Sequence, residues 1–226
     1  MSEQTVIQWL ELIQVKAGDT VILIKIPEAR VSSAEITALL HAAKPFASDV
    51  LDAAAQRAHV CHGADSRETY VYFAVRMAEL RTMIEALQRV VQGSYPNANI
   101  TELSVTQAIE GASGSEAAHW HYVVETDVQP SAEDDFNAWY SEEHLPGLAA
   151  VPGTVKAVRL QNLTGSPRYH ALYLLATRET FGSEPWLKVR ATDWSSRVRP
   201  NFVNTKRAMF EVAPAAQHTS VTTFTR

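Results

Sequence analysis

The stretch Pro130–Leu160 reads PSAEDDFNAWYSEEHLPGLAAVPGTVKAVRL and predicts a helix, a tight turn and a strand. Ser131, with Asp134 three residues later, has the form of a capping box at a helix N-terminus. Pro146 disfavours helical geometry at Leu145, so the helix is predicted to end there. The stretch therefore carries its own start and stop signals.

The predicted helix has an aromatic face, because its large side chains recur at helical spacing. The residues on this face are Phe136, Trp139, Tyr140 and Glu143, with His144 at its edge. Pro152-Gly153 then fits a type II turn, in which glycine supplies the positive φ of the third position. A strand is predicted to leave this turn over residues 155–160.

These residues resemble a known family. The pattern Phe-Asn-x-Trp-Tyr-x-x-Glu-His-Leu-Pro over 136–146, followed by Val-Pro-Gly over 151–153 and a strand containing Arg159, is similar to the EthD-like branch of the dimeric α+β barrel superfamily. The resemblance covers residues 117–212. It implies a ferredoxin-like βαββαβ fold, in which two such units pack sheet to sheet. It implies function only loosely, because the superfamily hosts isomerases, cyclases, cofactor-free oxygenases and proteins of unknown role.

Apolar periodicity predicts the order β-α-β-β-α-β twice along the chain, with the first strand over 20–26, a helix over 183–197 capped by Ser183, and the last strand over 202–212. We therefore expect an α+β protein of tandem ferredoxin-like units whose antiparallel sheets pack as a barrel. The domains are predicted at 1–110 and 117–226, with a Gly- and Ser-rich linker between them. Residues 2–16 fit a helix or a strand, a second helical piece is expected to end near Ala55, and the tail after Pro214 is polar. The barrel closes either within one chain, which we favour, or between two chains. A homodimer of chains with closed barrels is compatible with the first arrangement.

Composition narrows the class of protein. The net charge of −5 and the pI near 5.9 argue against a nucleic-acid surface, which clusters Lys and Arg. The single cysteine, Cys61, excludes an intrachain disulfide. The N-terminus lacks the pattern of a signal peptide, and the apolar runs are too short to span a bilayer. We predict a cytoplasmic protein without nucleic-acid or membrane partners.

Histidines are the first candidates for chemistry, since an imidazole can exchange a proton near neutral pH. His144 follows the aromatic face and is predicted to be catalytic; its alternative role is a helix C-cap. On the strand after residue 118, alternation places His119, His121 and Glu125 on one face. This set could ligate a metal, but no third ligand has diagnostic spacing, so we predict proton transfer by His121 and no metal site.

His59, Cys61 and His62 are also close in sequence. His59 and Cys61 share a strand face that His62 does not. A Cys-His pair can form a nucleophile or a metal site, but nothing indicates an oxyanion hole. We interpret Cys61 as a buried structural residue.

The remaining candidates are polar or aromatic side chains near the same motif. Arg159 shares a face with Val155 and Ala157 and could hold a substrate carboxylate, or else form a surface ion pair. Together with Tyr140, it completes the predicted catalytic set. The predicted substrate-binding residues are Trp139, His119, Tyr169, Tyr173 and Trp194.

The function predicted from these residues is a small cofactor-free enzyme of the isomerase, cyclase, decarboxylase or lyase type. Histidine acid–base chemistry would act on a small aromatic or lactone-type acid in the barrel cavity. The alternatives are a non-catalytic binding or assembly module and a metal- or haem-dependent oxygenase. Motifs for nucleotides and for common hydrolases are absent from the sequence.

Overall fold

A computed structural model of the 226-residue chain describes residues 14–43, 58–75 and 80–214. The predicted order of elements is observed in both halves. The first half contains β1 (Thr20–Ile26), α1 (Ser33–Ala43), β2 (His59–Gly63), β3 (Thr69–Val75), α2 (Leu80–Ser94) and β4 (Asn99–Glu110). The second half contains β5 (Trp120–Val128), α3 (Glu133–Trp139), a π-helical turn (Tyr140–His144), α4 (Leu145–Ala149), β6 (Thr154–Gln161), β7 (Tyr169–Leu175), α5 (Glu184–Arg190), α6 (Asp193–Val198) and β8 (Phe202–Val212).

The eight strands form one closed antiparallel barrel in the order β1-β3-β2-β8-β5-β7-β6-β4. Two seams join the halves. Strand β2 pairs with β8, where Cys61 lies opposite Val212, and β4 pairs with β6, where Val105 lies opposite Leu160. The predicted barrel fold and its closure within one chain are therefore confirmed, and the homodimer stays a prediction.

Alternation along the strands divides the core into a barrel interior and two outer layers. On β5, His121, Val123 and Glu125 point inward. Tyr122 and Val124 point outward, under the helices of the second half. The helices of the first half cover the outer face of the sheet on the other side, where Ile22, Ile24 and Phe73 are buried. The predicted alternation on β5 is thus confirmed from Trp120 onward.

One irregularity changes a predicted strand face. The register of β6 against β7 shifts between Thr154 and Lys156. Val155 packs in the barrel interior with Val158, whereas Ala157 packs in the outer layer. The prediction that Val155 shares a face with Arg159 is therefore wrong, because a bulge reverses the side-chain alternation at this point.

The helix of the deciding stretch begins and ends differently from the prediction. Ser131 lies in a 3₁₀ turn, Pro130–Ala132, and the N-cap of α3 is Ala132, without a side-chain cap. The helix does not end before Pro146 but continues as α4 to Ala149. A proline in a helix interior removes an N–H donor and clashes with the carbonyl four residues earlier. The wider π-helical turn Tyr140–His144 ends two residues before this proline, so the carbonyl four residues before Pro146 lies within the turn.

The other local signals of this stretch have mixed outcomes. Gly153 has a φ of +92°, and the Thr154 N–H donates to the Val151 carbonyl, so the predicted turn is confirmed. The single helix predicted over 183–197 is divided into α5 and α6. Ser183 caps α5 as predicted, and Thr192 caps α6 by accepting from the Ser195 N–H.

Three predictions concern residues outside the described ones: the ambiguous segment before residue 14, the helical piece near Ala55 and the polar tail after 214. The helices that the structure describes include none with both the length and the apolar character needed to cross a membrane.

Candidate functional site

A pocket lies between the outer face of the barrel sheet and the helices of the second half. The sheet contributes its floor from β5, β7 and β8, and the helical layer contributes its wall. Its lining residues are Tyr122, Val124, Trp139, Tyr140, His144, Leu148, Tyr173, Trp186, Arg190, Arg199, Phe202 and Arg207. We call this set the outer pocket.

His144 is placed in the outer pocket by the π-helical turn. Its ring stacks on that of Trp139, with 4.1 Å between centroids, and its exposed fraction is 7%. The Nδ1 atom of His144 is buried without a hydrogen-bond partner among the described residues. Burial, followed by the charges of Arg190 and Arg199, lowers the pKa of His144 to about 3. The imidazole is therefore neutral at neutral pH.

Other polar groups in the outer pocket are also unsatisfied. The hydroxyl of Tyr173 and the Nε1 of Trp186 are buried and lack partners within the described chain. Burial raises the pKa of Tyr140 to about 12, so its phenol stays protonated. Leaving buried donors without partners costs free energy, and such groups often mark the position of an absent ligand or water.

Three arginines from different elements meet at the outer pocket: Arg190 at the end of α5, Arg199 just after α6, and Arg207 on β8. In the described ranges, no carboxylate forms an ion pair with any of them. Burial and the charges of its two neighbours lower the pKa of Arg199. The pocket therefore concentrates positive charge that the described residues leave unbalanced.

The space among these side chains is limited. It amounts to about 350 Å³ when the part open to solvent is counted, while the closed part has room for about one water molecule. A ligand of more than a few atoms therefore requires side chains to move as it enters.

Arg159 lies outside the outer pocket. Its guanidinium packs against the rings of Phe136, Tyr140 and Tyr169 at 4.7–5.2 Å from their centroids. It donates from Nη2 to the Asn137 Oδ1 at 2.6 Å. The side chain is 5% exposed and is absent from the pocket lining. It therefore joins α3 to the sheet rather than reaching the pocket.

The predicted substrate-binding residues divide between two locations. Trp139 and Tyr173 line the outer pocket, as does the predicted catalytic residue Tyr140. Tyr169 is outside it and donates its hydroxyl hydrogen bond to Glu133. Trp194 is also outside it and donates from Nε1 to Asp135 at 2.8 Å. The structure thus brings Trp139, Tyr140 and Tyr173 together with His144.

His121 is on the opposite face of the sheet from His144, inside the barrel, and is fully buried. The two histidines predicted to act at one cavity are therefore on opposite sides of the sheet. Alternation along β5 directs His121 into the barrel and its neighbour Tyr122 toward the outer pocket, where His144 lies. His119 is exposed just before β5, where its backbone pairs with Leu175 and Val212. The set of His119, His121 and Glu125 considered for a metal is not assembled.

The barrel interior instead brings His121 to the residues of β2. Its Nδ1 is 2.9 Å from the Nε2 of His59, and one ligand atom each of His59, Cys61 and His121 lie within 4.8 Å of one another. Burial lowers the pKa of His59 to about 4 and also lowers that of His121. Burial raises the pKa of the Cys61 thiol, and Cys61 is buried as predicted.

A second polar group lies in the interior. Lys25 Nζ is 2.6 Å from Glu125, whose other oxygen is 3.8 Å from the Nδ1 of His170. Burial lowers the pKa of His170 to about 4. Lys206 contacts Glu68 and donates to the hydroxyl of Tyr70. The Oε1 of Glu125 and the Nδ1 of His170 are buried without a hydrogen-bond partner among the described residues. We interpret the ion pairs of Lys25 with Glu125 and of Lys206 with Glu68 as structural.

Sequence reasoning missed two features. The arginines of the outer pocket come from three elements, and only their positions in the fold unite them. His59 and His121 are 62 residues apart and meet only because β2 and β5 both pair with β8, one on each side. The alternation of side chains along each strand was the one sequence signal that could have indicated that His59 and His121 both point into the barrel.

No family model and no curated protein matches the chain. Solved structures with the same fold do match. An anthrone oxidase-like protein has a TM-score of 0.61 at 13% identity, covering 88% of this chain and 94% of that one. A mutant chlorite dismutase from Candidatus Nitrospira defluvii has a TM-score of 0.58 at 7% identity, covering 90% and 94%. A ferredoxin-fold protein related to antibiotic biosynthesis monooxygenases, from Listeria monocytogenes, has a TM-score of 0.51 at 8% identity, covering 86% and 95%. At these identities the likeness shows the ferredoxin-like α+β barrel fold alone.

Proposed function

We propose that the outer pocket binds a small aromatic or lactone-type carboxylic acid and that the chain is an enzyme that moves protons on it. One observation carries this proposal. Arg190, Arg199 and Arg207 meet without carboxylate partners among the described residues, beside a buried His144 whose Nδ1 is unsatisfied. Such a site is suited to an anion that also forms a hydrogen bond with His144.

Arginine suits the carboxylate of such a ligand, because its planar guanidinium can donate two parallel hydrogen bonds. The walls of the pocket are aromatic: Trp139, Tyr140, Tyr173 and Trp186. Aromatic side chains favour a flat or cyclic apolar body, while a few polar groups fix its orientation. The expected ligand therefore has one negatively charged end, held by the arginines, and one apolar body, held by the aromatic side chains.

His144 supplies the proton transfer in this proposal. In the free protein, burial is the main cause that opposes its protonation, and the positive charge of Arg190 and Arg199 adds to it. A bound carboxylate offsets that charge, which favours the protonated ring. Neutral His144 then accepts a proton from one ligand atom and returns it to another. This is an isomerisation, in which atoms and electrons balance without a co-reactant.

We further propose that the chain belongs to the EthD-like branch and that its reaction needs no cofactor. The motif over residues 136–146 supports the branch, since Trp139, Tyr140 and His144 all line the outer pocket. The unsatisfied Tyr173 hydroxyl is suited to donate a hydrogen bond to a developing oxyanion.

A second candidate function is a non-catalytic binding module that uses the same pocket. The pKa of His144, about 3, favours it, since a base this weak accepts protons poorly. The two functions differ in their pH dependence. An enzyme gives a rate profile that changes when His144 is replaced, whereas a binder only changes its affinity.

Thermal shifts against a panel of aromatic and lactone carboxylic acids test the proposal. A ligand at 100 times its Kd should raise the melting temperature by roughly 5 to 10 °C. Arg199→Gln and Arg190→Gln should weaken its binding about 10- to 100-fold, because each removes a charge-assisted hydrogen bond. Lys188→Gln is the matched control, since Lys188 is exposed on α5 and does not line the pocket.

Uncharged amides of the same acids should give no shift. Equal shifts by acid and amide, or acid binding that both arginine variants retain, would contradict the proposal. With a ligand in hand, loss of turnover in His144→Gln with binding retained supports the enzyme, and full turnover in this variant excludes it.

A further inference from the structure

The interior group of His59, Cys61 and His121 is not used by the function proposed above. His59 and Cys61 are two residues apart on β2 and point inward, and His121 approaches from β5 across β8. All three side chains are at most 5% exposed. One ligand atom of each lies within 4.8 Å of the others.

This group is incompletely hydrogen-bonded. The His59–His121 contact at 2.9 Å uses one proton between two neutral rings. The Nε2 of His121 has no partner among the described residues, and neither does the hydroxyl of Tyr72, whose ring stacks on His121 at 5.1 Å. Whichever tautomer His121 adopts, Nε2 is then a buried donor or a buried lone pair without a partner. Both cost free energy in a closed interior.

We propose that His59, Cys61 and His121 form a buried binding site for a monovalent copper ion. Two imidazoles and a thiolate are a ligand set that soft transition metals prefer. Burial raises the pKa of the Cys61 thiol, which donates to the Tyr70 carbonyl at 3.6 Å, so the thiolate forms only as the metal binds and the thiol proton is released to solvent. The pKa values of both histidines are lowered, so the rings are neutral and able to coordinate.

The spacing is close to what a metal requires. Metal–nitrogen bonds of about 2.1 Å and metal–sulfur bonds of about 2.3 Å place ligand atoms roughly 3.3 to 3.8 Å apart at tetrahedral to trigonal angles. The His59 and His121 nitrogens, 2.9 Å apart, therefore have to separate by a few tenths of an ångström, and a pair of ligand atoms as far apart as 4.8 Å has to approach by about an ångström. Rotation of the three side chains can supply such shifts.

Charge distinguishes copper from zinc at this site. The rings around the histidines are those of Tyr72 and Phe210. Glu68 is the carboxylate whose charge acts on the Cys61 thiol, and Lys206 pairs with it, so the two charges offset each other. Cu⁺ with one thiolate and two neutral imidazoles has no net charge. Zn²⁺ with the same ligands leaves one positive charge in the barrel interior, and an uncompensated buried charge is costly.

The test uses the full chain, refolded from urea under reducing, anaerobic conditions with Cu⁺ or with Zn²⁺, because the closed interior is best loaded during folding. We expect about one copper per chain, retained against a chromophoric Cu⁺ chelator, and a raised melting temperature. The copper X-ray absorption spectrum should fit one sulfur and two nitrogen neighbours.

Cys61→Ser and His59→Gln should each lower copper affinity at least 100-fold, while His119→Gln, an exposed histidine, serves as the matched control. Far-ultraviolet circular dichroism of each variant shows that it is folded. Copper that binds with only nitrogen and oxygen neighbours, copper that Cys61→Ser retains, zinc binding in place of copper, or no binding to the folded chain would each overturn the proposal. Acid binding in the outer pocket is measured separately, on the other face of the sheet.

Discussion

Burial changes the protonation of four histidines: His59, His121, His144 and His170, each with a lowered pKa whose largest cause is desolvation. In the unfolded chain these rings bind protons near pH 6.5. In the folded chain the pKa of His59 and that of His170 are about 4, the pKa of His144 is about 3, and the pKa of His121 is well below its usual value. The unfolded state therefore binds more protons between these values. Stability is fully present above pH 6.5 and falls as the pH is lowered through this window.

We predict that the free energy of unfolding falls steadily between pH 6.5 and pH 4.5, above the range in which most carboxylates titrate. Urea unfolding at half-unit intervals measures this slope. His144→Gln should remove up to one proton from it. A slope that His144→Gln leaves unchanged would contradict the burial of this ring.

Arg159 gives a second lesson at the residue scale. From the sequence it could hold a substrate carboxylate or form a surface ion pair. In the structure its guanidinium is buried and is engaged by Asn137 and three aromatic rings. The sequence could not show this, because the bulge near Thr154 decides which strand face it occupies. The convergence of the three arginines on the outer pocket could not be predicted from the sequence either, because they come together only when β8 pairs with β5.

At the scale of elements, the packing of α4 against α5 depends on Gly147. A Cβ added there lies 2.8 Å from the Cγ1 of Val189, and a valine has little freedom to withdraw. Gly147→Ala should therefore push α4 away from α5 and destabilise the protein by about 1–3 kcal/mol, measured by urea unfolding.

Gly93 in α2 provides the matched control, since a Cβ added there meets no atom within 4 Å. Gly93→Ala should stabilise the protein by about 0.5–1 kcal/mol through helix propensity alone. If both substitutions stabilised the protein, the close approach of α4 to α5 would be wrong.

The elements that sequence predicted best are those with local signals. β1 and β8 have the predicted boundaries, because β-branched alternation and flanking turns define them. The π-helical turn and the extension through Pro146 were not predicted. They depend on the packing of this helix against the sheet, which offsets the cost of the irregular backbone. This packing leaves no pattern in the local sequence from which it could be predicted.

At the scale of the whole molecule, two seams make one barrel of two halves. Pairing of β2 with β8 and of β4 with β6 buries apolar side chains from both halves in one interior, including Leu23, Leu103 and Leu172. Neither half can bury these side chains alone. We therefore predict one cooperative unfolding transition.

The measurement compares urea unfolding by far-ultraviolet circular dichroism with that by tryptophan fluorescence. In a Trp9→Phe variant, all remaining tryptophans lie between residues 120 and 194, so fluorescence follows the second half alone. Coincident curves are expected. A fluorescence transition separated from the dichroism transition would show that the halves unfold independently.

The central claim is that the outer pocket holds a carboxylate by its arginines. A crystal structure with the most strongly stabilising aromatic acid tests it most directly. The account predicts the carboxylate within hydrogen-bond distance of at least one of Arg190, Arg199 and Arg207, with the ring against Trp139 or Tyr173 and a polar atom near His144. An acid bound instead at Arg159, or inside the barrel beside His121, would contradict it.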